Sequence, residues 1–102
     1  MSVDDNVRYI RWTIVELAWT REAEDHIARH GVDRRDVEDV LDGRYWRARG
    51  RSGTTLVYGR TRGGRSLLVV LAPGRGGAAG VVTARDLTAG ERRTLRRRET
   101  RR

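Results

Sequence analysis

The chain has 102 residues, no cysteine and a formal net charge of +8, and all 22 of its basic residues are arginine. That length sets a single domain, residues 1–102, with one modest core. The lack of cysteine excludes disulfides and thiolate metal sites, and no run reaches the roughly 20 apolar residues that span a bilayer. With no secretory pattern at the N-terminus, a cytoplasmic location is expected. The surplus of positive charge attracts polyanions, and the guanidinium fork matches phosphate oxygens in pairs. A GC-rich genome accounts for arginine in place of lysine but not for the surplus itself. A membrane surface is disfavoured as partner, because no helix joins a broad apolar face to this charge.

Residues 1–7 are polar and are expected to be flexible. Residues 8–15, RYIRWTIV, carry aromatic and β-branched side chains in rough alternation, which predicts one strand. Thr20 then serves as the N-cap of a first helix, with Glu22, Glu24 and Asp25 in its opening turns and Gly31 ending it. Asp33, with Asp36 three residues on, caps a second helix whose apolar stripe is Val37, Val40 and Leu41. Residues 20–42 therefore form a helical hairpin. Residues 44–51 are an edge strand leading to a turn at Ser52-Gly53.

The rest is organised around a three-strand antiparallel meander over residues 54–62, 65–72 and 78–85, the most apolar part of the chain. Gly63-Gly64 predicts a two-residue hairpin turn, and Pro73 to Gly77 a looser one. Thr88 and Glu91 form a capping box that opens a last helix, with only Leu95 to bury. Its basic continuation over 97–102 is expected to be flexible. The order β-α-α-β-β-β-β-α is an α+β fold: an antiparallel sheet with a two-helix hairpin on one face and a C-terminal helix.

His26 and His30 lie one helical turn apart, one turn beyond Glu22. A shared metal is disfavoured, since neither a third ligand nor an adjacent Glu-x-x-His pattern accompanies them. His30 reads either as a helix-terminal residue or as a proton-transfer group. Arg60, Arg62 and Arg65 flank the first hairpin and Arg85 closes the last strand, so some of these can converge on a phosphate. The competing reading for each is a solvated sheet face opposite acidic residues, except that Arg85, just before a capped helix, is favoured as functional. Trp12, Trp19 and Trp46 read as core or partner-interface anchors ahead of base-stacking residues. No nucleophile–base pair stands out.

The order Trp19-Thr20, then HIARHGV (26–32), Tyr58-Gly59-Arg60, Leu68-Val69-Val70, and VTARDLT (82–88) with Glu91-Arg92-Arg93 resembles the BrnT family, toxins of type II toxin–antitoxin systems. The resemblance implies a RelE-like fold and a metal- and cofactor-free endoribonuclease that inhibits translation by cleaving RNA. It also implies a BrnA-like ribbon-helix-helix antitoxin as partner, reaching operator DNA only through that antitoxin, in an assembly such as a heterotetramer. By motif, Arg60 and Arg85 become the charge-stabilising arginines and His30 falls in the family's basic-His-Gly step; in the mechanism this suggests, His30 or Tyr58 handles a proton and Arg47, Arg49, Arg51, Arg62 and Arg65 hold the RNA backbone. The chain departs from RelE-like sites in having no lysine to move a proton. Its alternative is a non-enzymatic RNA- or antitoxin-binding module of the same fold. A DNA-binding helix-turn-helix over 20–42 is disfavoured by Asp33, Asp36, Glu38, Asp39 and Asp42, which repel phosphates.

Overall fold

The computed structural model describes residues 8–12 and 15–100. The expectations for 1–7 and 101–102, and for the Trp12 side chain, lie outside them. The described elements are, in order, β1 (Arg8–Trp12), β2 (Val15–Trp19), α1 (Arg21–Ala28), α2 (Arg34–Asp42), β3 (Tyr45–Arg49), β4 (Thr55–Arg60), β5 (Ser66–Pro73), β6 (Ala79–Asp86) and α3 (Ala89–Thr100). The α+β class holds. The described strands form one six-stranded sheet in the order β1-β2-β6-β5-β4-β3. No described helix is long and apolar enough to cross a membrane.

Two expectations about the sheet need correction. The single strand over 8–15 is an antiparallel pair, β1 against β2, with Ile10 opposite Leu17. The sheet is also mixed, because β2 lies parallel to β6 at Leu17–Ala79 and Ala18–Gly80. The reason lies in burial: Leu17 and Trp19 are both fully buried, so the extended chain must continue to the helix cap to place them in the core.

The meander follows its expected course, β4–β5–β6, with Val57 opposite Val69 and Val69 opposite Ala84. Its first turn differs from the expected two-residue form. The last paired residues are Thr61 and Arg65, the Gly64 amide donates to the Thr61 carbonyl at 2.9 Å, and the Thr61 hydroxyl accepts from the Arg65 amide at 3.1 Å. Of the two glycines here, only Gly64 has positive φ, +92°. This is a three-residue loop closed by a left-handed glycine, and not a primed turn needing two such residues. In β6, an extra residue between the Leu71–Val81 and Val70–Thr83 pairs makes a bulge that leaves Val82 45% exposed.

The helical hairpin matches its sequence signals. The Thr20 hydroxyl accepts from the Ala23 amide at 3.0 Å, and Asp33 and Asp36 exchange side-chain-to-amide bonds at 2.9 and 3.1 Å. At the end of α1 the Val32 amide reaches back to the Ile27 carbonyl and the Gly31 amide to that of Ala28, with Gly31 at φ +70°. That is the two-bond left-handed stop, and it turns Val32 into the core beside Ile27. Both helices cover one sheet face, burying Ile27, Val37, Val40 and Leu41 against Leu17, Trp19, Val57, Leu67 and Val69. Gly59 is needed at this contact, since a Cβ there would stand 2.9 Å from Val40 Cγ1.

The second face is smaller. Leu68, Leu87 and Leu95 are its buried centre, with Leu56, Tyr58 and Val70 packed beside them. α3 lies over part of it and continues through Thr100, so residues 97–100, expected to be flexible, are helical.

Candidate nucleic-acid interface

Strand alternation decides which candidate residues meet. Trp46 is opposite Tyr58, Tyr58 opposite Leu68, and Leu68 opposite Arg85, so one row crosses β3, β4, β5 and β6 on the face bearing α3. Arg60, two residues beyond Tyr58, joins this face opposite Ser66. Three of the four candidate catalytic residues, Tyr58, Arg60 and Arg85, thus share one surface.

His30 does not. It is exposed at the end of α1, whose buried residues pack on the opposite face, and its ring meets that of His26 edge-on at 5.7 Å. Its carbonyl accepts from Arg65 Nη2 at 3.1 Å. The helix-terminal reading fits this placement; proton transfer alongside Tyr58 and Arg85 does not.

Both arginines on the shared face are held by carboxylates of α3. Arg85 Nη1 and Nη2 donate to the two Glu91 carboxylate oxygens at 2.9 and 3.0 Å. Arg60 Nε and Nη2 donate to Glu99 at 3.1 and 2.9 Å, while its Nη1 donates to Ser66 Oγ at 3.0 Å. Glu91 also caps its own helix. Its Oε1 accepts from the Thr88 amide at 2.8 Å, completing the expected capping box with Thr88 Oγ1, which accepts from the Glu91 amide at 3.2 Å. Hydrogen bonding from Arg85, aided by the Thr88 amide, holds the Glu91 carboxyl at about 2 against an ordinary 4.5. The Glu99 carboxyl is lowered chiefly by Arg60, and both guanidiniums are raised further by these partners, so they keep their charge. Burial and the nearby Glu91 carboxylate push the Tyr58 phenol up, with Arg85 opposing. A phenol in this state can donate a proton but is a poor base at neutral pH.

These contacts of α3 were not foreseen from its sequence, where Leu95 alone stood out as a residue to bury. Glu91, Leu95, Arg98 and Glu99 nevertheless fall at the spacing of one helix face, and that spacing is the signal that marks them. Arg98 lies over the Trp46 ring, its Cζ 4.5 Å from the ring centroid. The Trp46 and Tyr58 rings are 5.0 Å apart and tilted by 30°.

The five arginines expected to bind RNA are scattered, and two are paired with carboxylates away from the Tyr58 face. Arg65 donates to Asp86 at 2.7 and 3.1 Å and to the Gly31 carbonyl at 2.7 Å, tying the end of α1 to β6. Arg62 pairs with Asp39 and Asp42 of α2 at 3.7 and 3.1 Å. Arg47 and Arg49 stand opposite Val57 and Thr55, on the face away from Tyr58. Arg51 is exposed in a 3-10 turn at Arg51–Gly53.

Among the described residues, no three His, Asp or Glu side chains group as a metal site would require. A groove of about 240 Å³ lies on the other face, between Leu41, Tyr45, Arg47 and Ala79, and none of the candidate catalytic residues borders it. Compared with protein-family models, curated proteins and solved structures, the chain matches none.

Proposed function

We propose that this protein is a BrnT-like toxin of the RelE type, a metal-independent cytoplasmic endoribonuclease that inhibits translation and is neutralised by a DNA-binding ribbon-helix-helix antitoxin. The observation that carries the reading is the gathering of Tyr58, Arg60 and Arg85 on one sheet face of a protein with net charge +8. On this reading the RNA 2′-oxygen attacks the adjacent phosphorus and the bond to the 5′-oxygen breaks, leaving a cyclic phosphate. Arg60 and Arg85 stabilise the charge that develops on the phosphorane oxygens. Tyr58 gives its proton to the departing 5′-oxygen, and water takes the proton of the 2′-hydroxyl. His30 has no part in this scheme.

A second reading is favoured by the two carboxylates. With Arg85 on Glu91 and Arg60 on Glu99, the face can hold RNA or a protein partner without cleaving. Cleavage of single-stranded RNA by purified protein in EDTA separates the two. The toxin reading expects activity in wild type and in His30→Ala, with a loss of about 100-fold or more in Arg85→Ala. Inactive wild type with salt-sensitive RNA binding intact supports the binding module instead.

A further inference from the structure

Trp46 is placed unlike the other described tryptophan. Trp19 is fully buried in the main core, whereas Trp46 stands partly exposed on the edge strand β3, outside both apolar clusters. Its ring meets that of Tyr58 at 5.0 Å, and the exposed Arg98 guanidinium lies over it at 4.5 Å. A large flat ring backed by a second aromatic and covered by a movable planar cation is what an unpaired base needs for stacking. Admitting a base between ring and guanidinium requires two layers of about 3.5 Å each, so Arg98 swings outward by about 2–3 Å. That movement is within the freedom of an exposed arginine.

The matching phosphate contact is Arg60, once it leaves the Glu99 carboxylate that holds it. Arg60 projects from the same face one strand over and two residues along, about 8 Å from Trp46 between backbone positions, within the span of one nucleotide. We propose that Trp46, backed by Tyr58 and covered by Arg98, is a nucleobase-stacking subsite that takes an unpaired base of single-stranded RNA whose phosphate lies at Arg60. This rests on the RNA reading above and adds to it a preference for unpaired strands with little dependence on base identity, since every base has a stacking face.

The test compares wild type, Trp46→Ala and Trp46→Phe on three labelled probes: a single-stranded RNA, an abasic strand of equal length and charge, and an RNA duplex. Expected is a loss of about 5- to 100-fold for Trp46→Ala on the single strand, with most of it recovered by Trp46→Phe. Affinity for the abasic strand should be the same in all three proteins, and wild type should prefer the single strand to both other probes. Thermal unfolding and circular dichroism of each variant show that the fold is kept, and Trp46→Leu, apolar but without a stacking face and so expected to lose affinity for the single strand alone, carries the test if Trp46→Ala does not fold. Equal losses on the single and abasic strands, or none, overturn the stacking subsite while leaving RNA binding intact. Wild type that binds no probe overturns the RNA reading and the subsite with it.

Discussion

Glu91 joins two devices, a helix cap and an ion pair, and its substitution by Gln separates them. Gln at this position still accepts from the Thr88 amide, so the cap survives while the charge facing Arg85 is lost. Lowering a carboxyl from 4.5 to about 2 corresponds at face value to about 3 kcal/mol. The Arg85 side chain is 38% exposed, and water screening reduces this to about 1–2 kcal/mol. For a domain of this size, that is a fall in Tm of roughly 5–15 °C for Glu91→Gln at pH 7. Glu91→Ala should lose about 0.5–1 kcal/mol more, because the acceptor for the Thr88 amide goes too, while the Thr88 hydroxyl still accepts from the amide of residue 91. The sign with pH follows from a carboxyl that binds its proton less readily when folded. The contribution is complete above pH 4.5, fades as pH falls towards 2, and is absent below. Urea unfolding of wild type and Glu91→Gln from pH 7 to pH 2 should therefore give curves that converge on acidification. Equal stability at pH 7, or a gap that persists unchanged at pH 2, would refute the argument.

Gly59→Ala places a methyl 2.9 Å from Val40 Cγ1 and 3.2 Å from Tyr45 Cβ. It should cost about 1–3 kcal/mol in urea unfolding, and a stability equal to wild type would show that α2 is not seated on β4 as described. Glu99→Gln releases Arg60 from its carboxylate, so on the RNA reading single-stranded RNA should bind more tightly, with a salt dependence steeper by about one ion. Its effect on stability should stay under about 1 kcal/mol, since both side chains are more than a third exposed. Unchanged RNA affinity and salt slope would remove Arg60 from the interface.

Much of the local structure was legible because its causes are local. Thr20, Asp33 with Asp36, and Thr88 with Glu91 cap their helices through bonds that span three residues. Gly31 ends α1 because a left-handed backbone is cheap only for glycine. The meander was legible from apolar runs of strand length between turn residues, and these settled the α+β class. The form of the Gly63-Gly64 turn was not, because a pair of glycines fits more than one loop length. The choice was made by the Thr61 hydroxyl and the Thr61–Arg65 pairing.

The rest depended on residues distant in the chain. Nothing near Val15–Trp19 announces a parallel partner in β6; that pairing exists because Leu17 and Trp19 must enter a core built mainly from later strands. The arginines show the same division. Sequence alone determined how many there are and that their sum is an excess of positive charge, because charge adds up whatever the fold. Which of them are occupied was decided only in three dimensions. Arg62 is drawn to carboxylates of α2, Arg65 to that of Asp86 in β6, Arg60 and Arg85 to those of α3, and His30 is carried to the far face by the helix it ends. An ion pair forms wherever packing brings two charges within a few ångströms, and that distance is a property of the fold, not of the spacing along the chain.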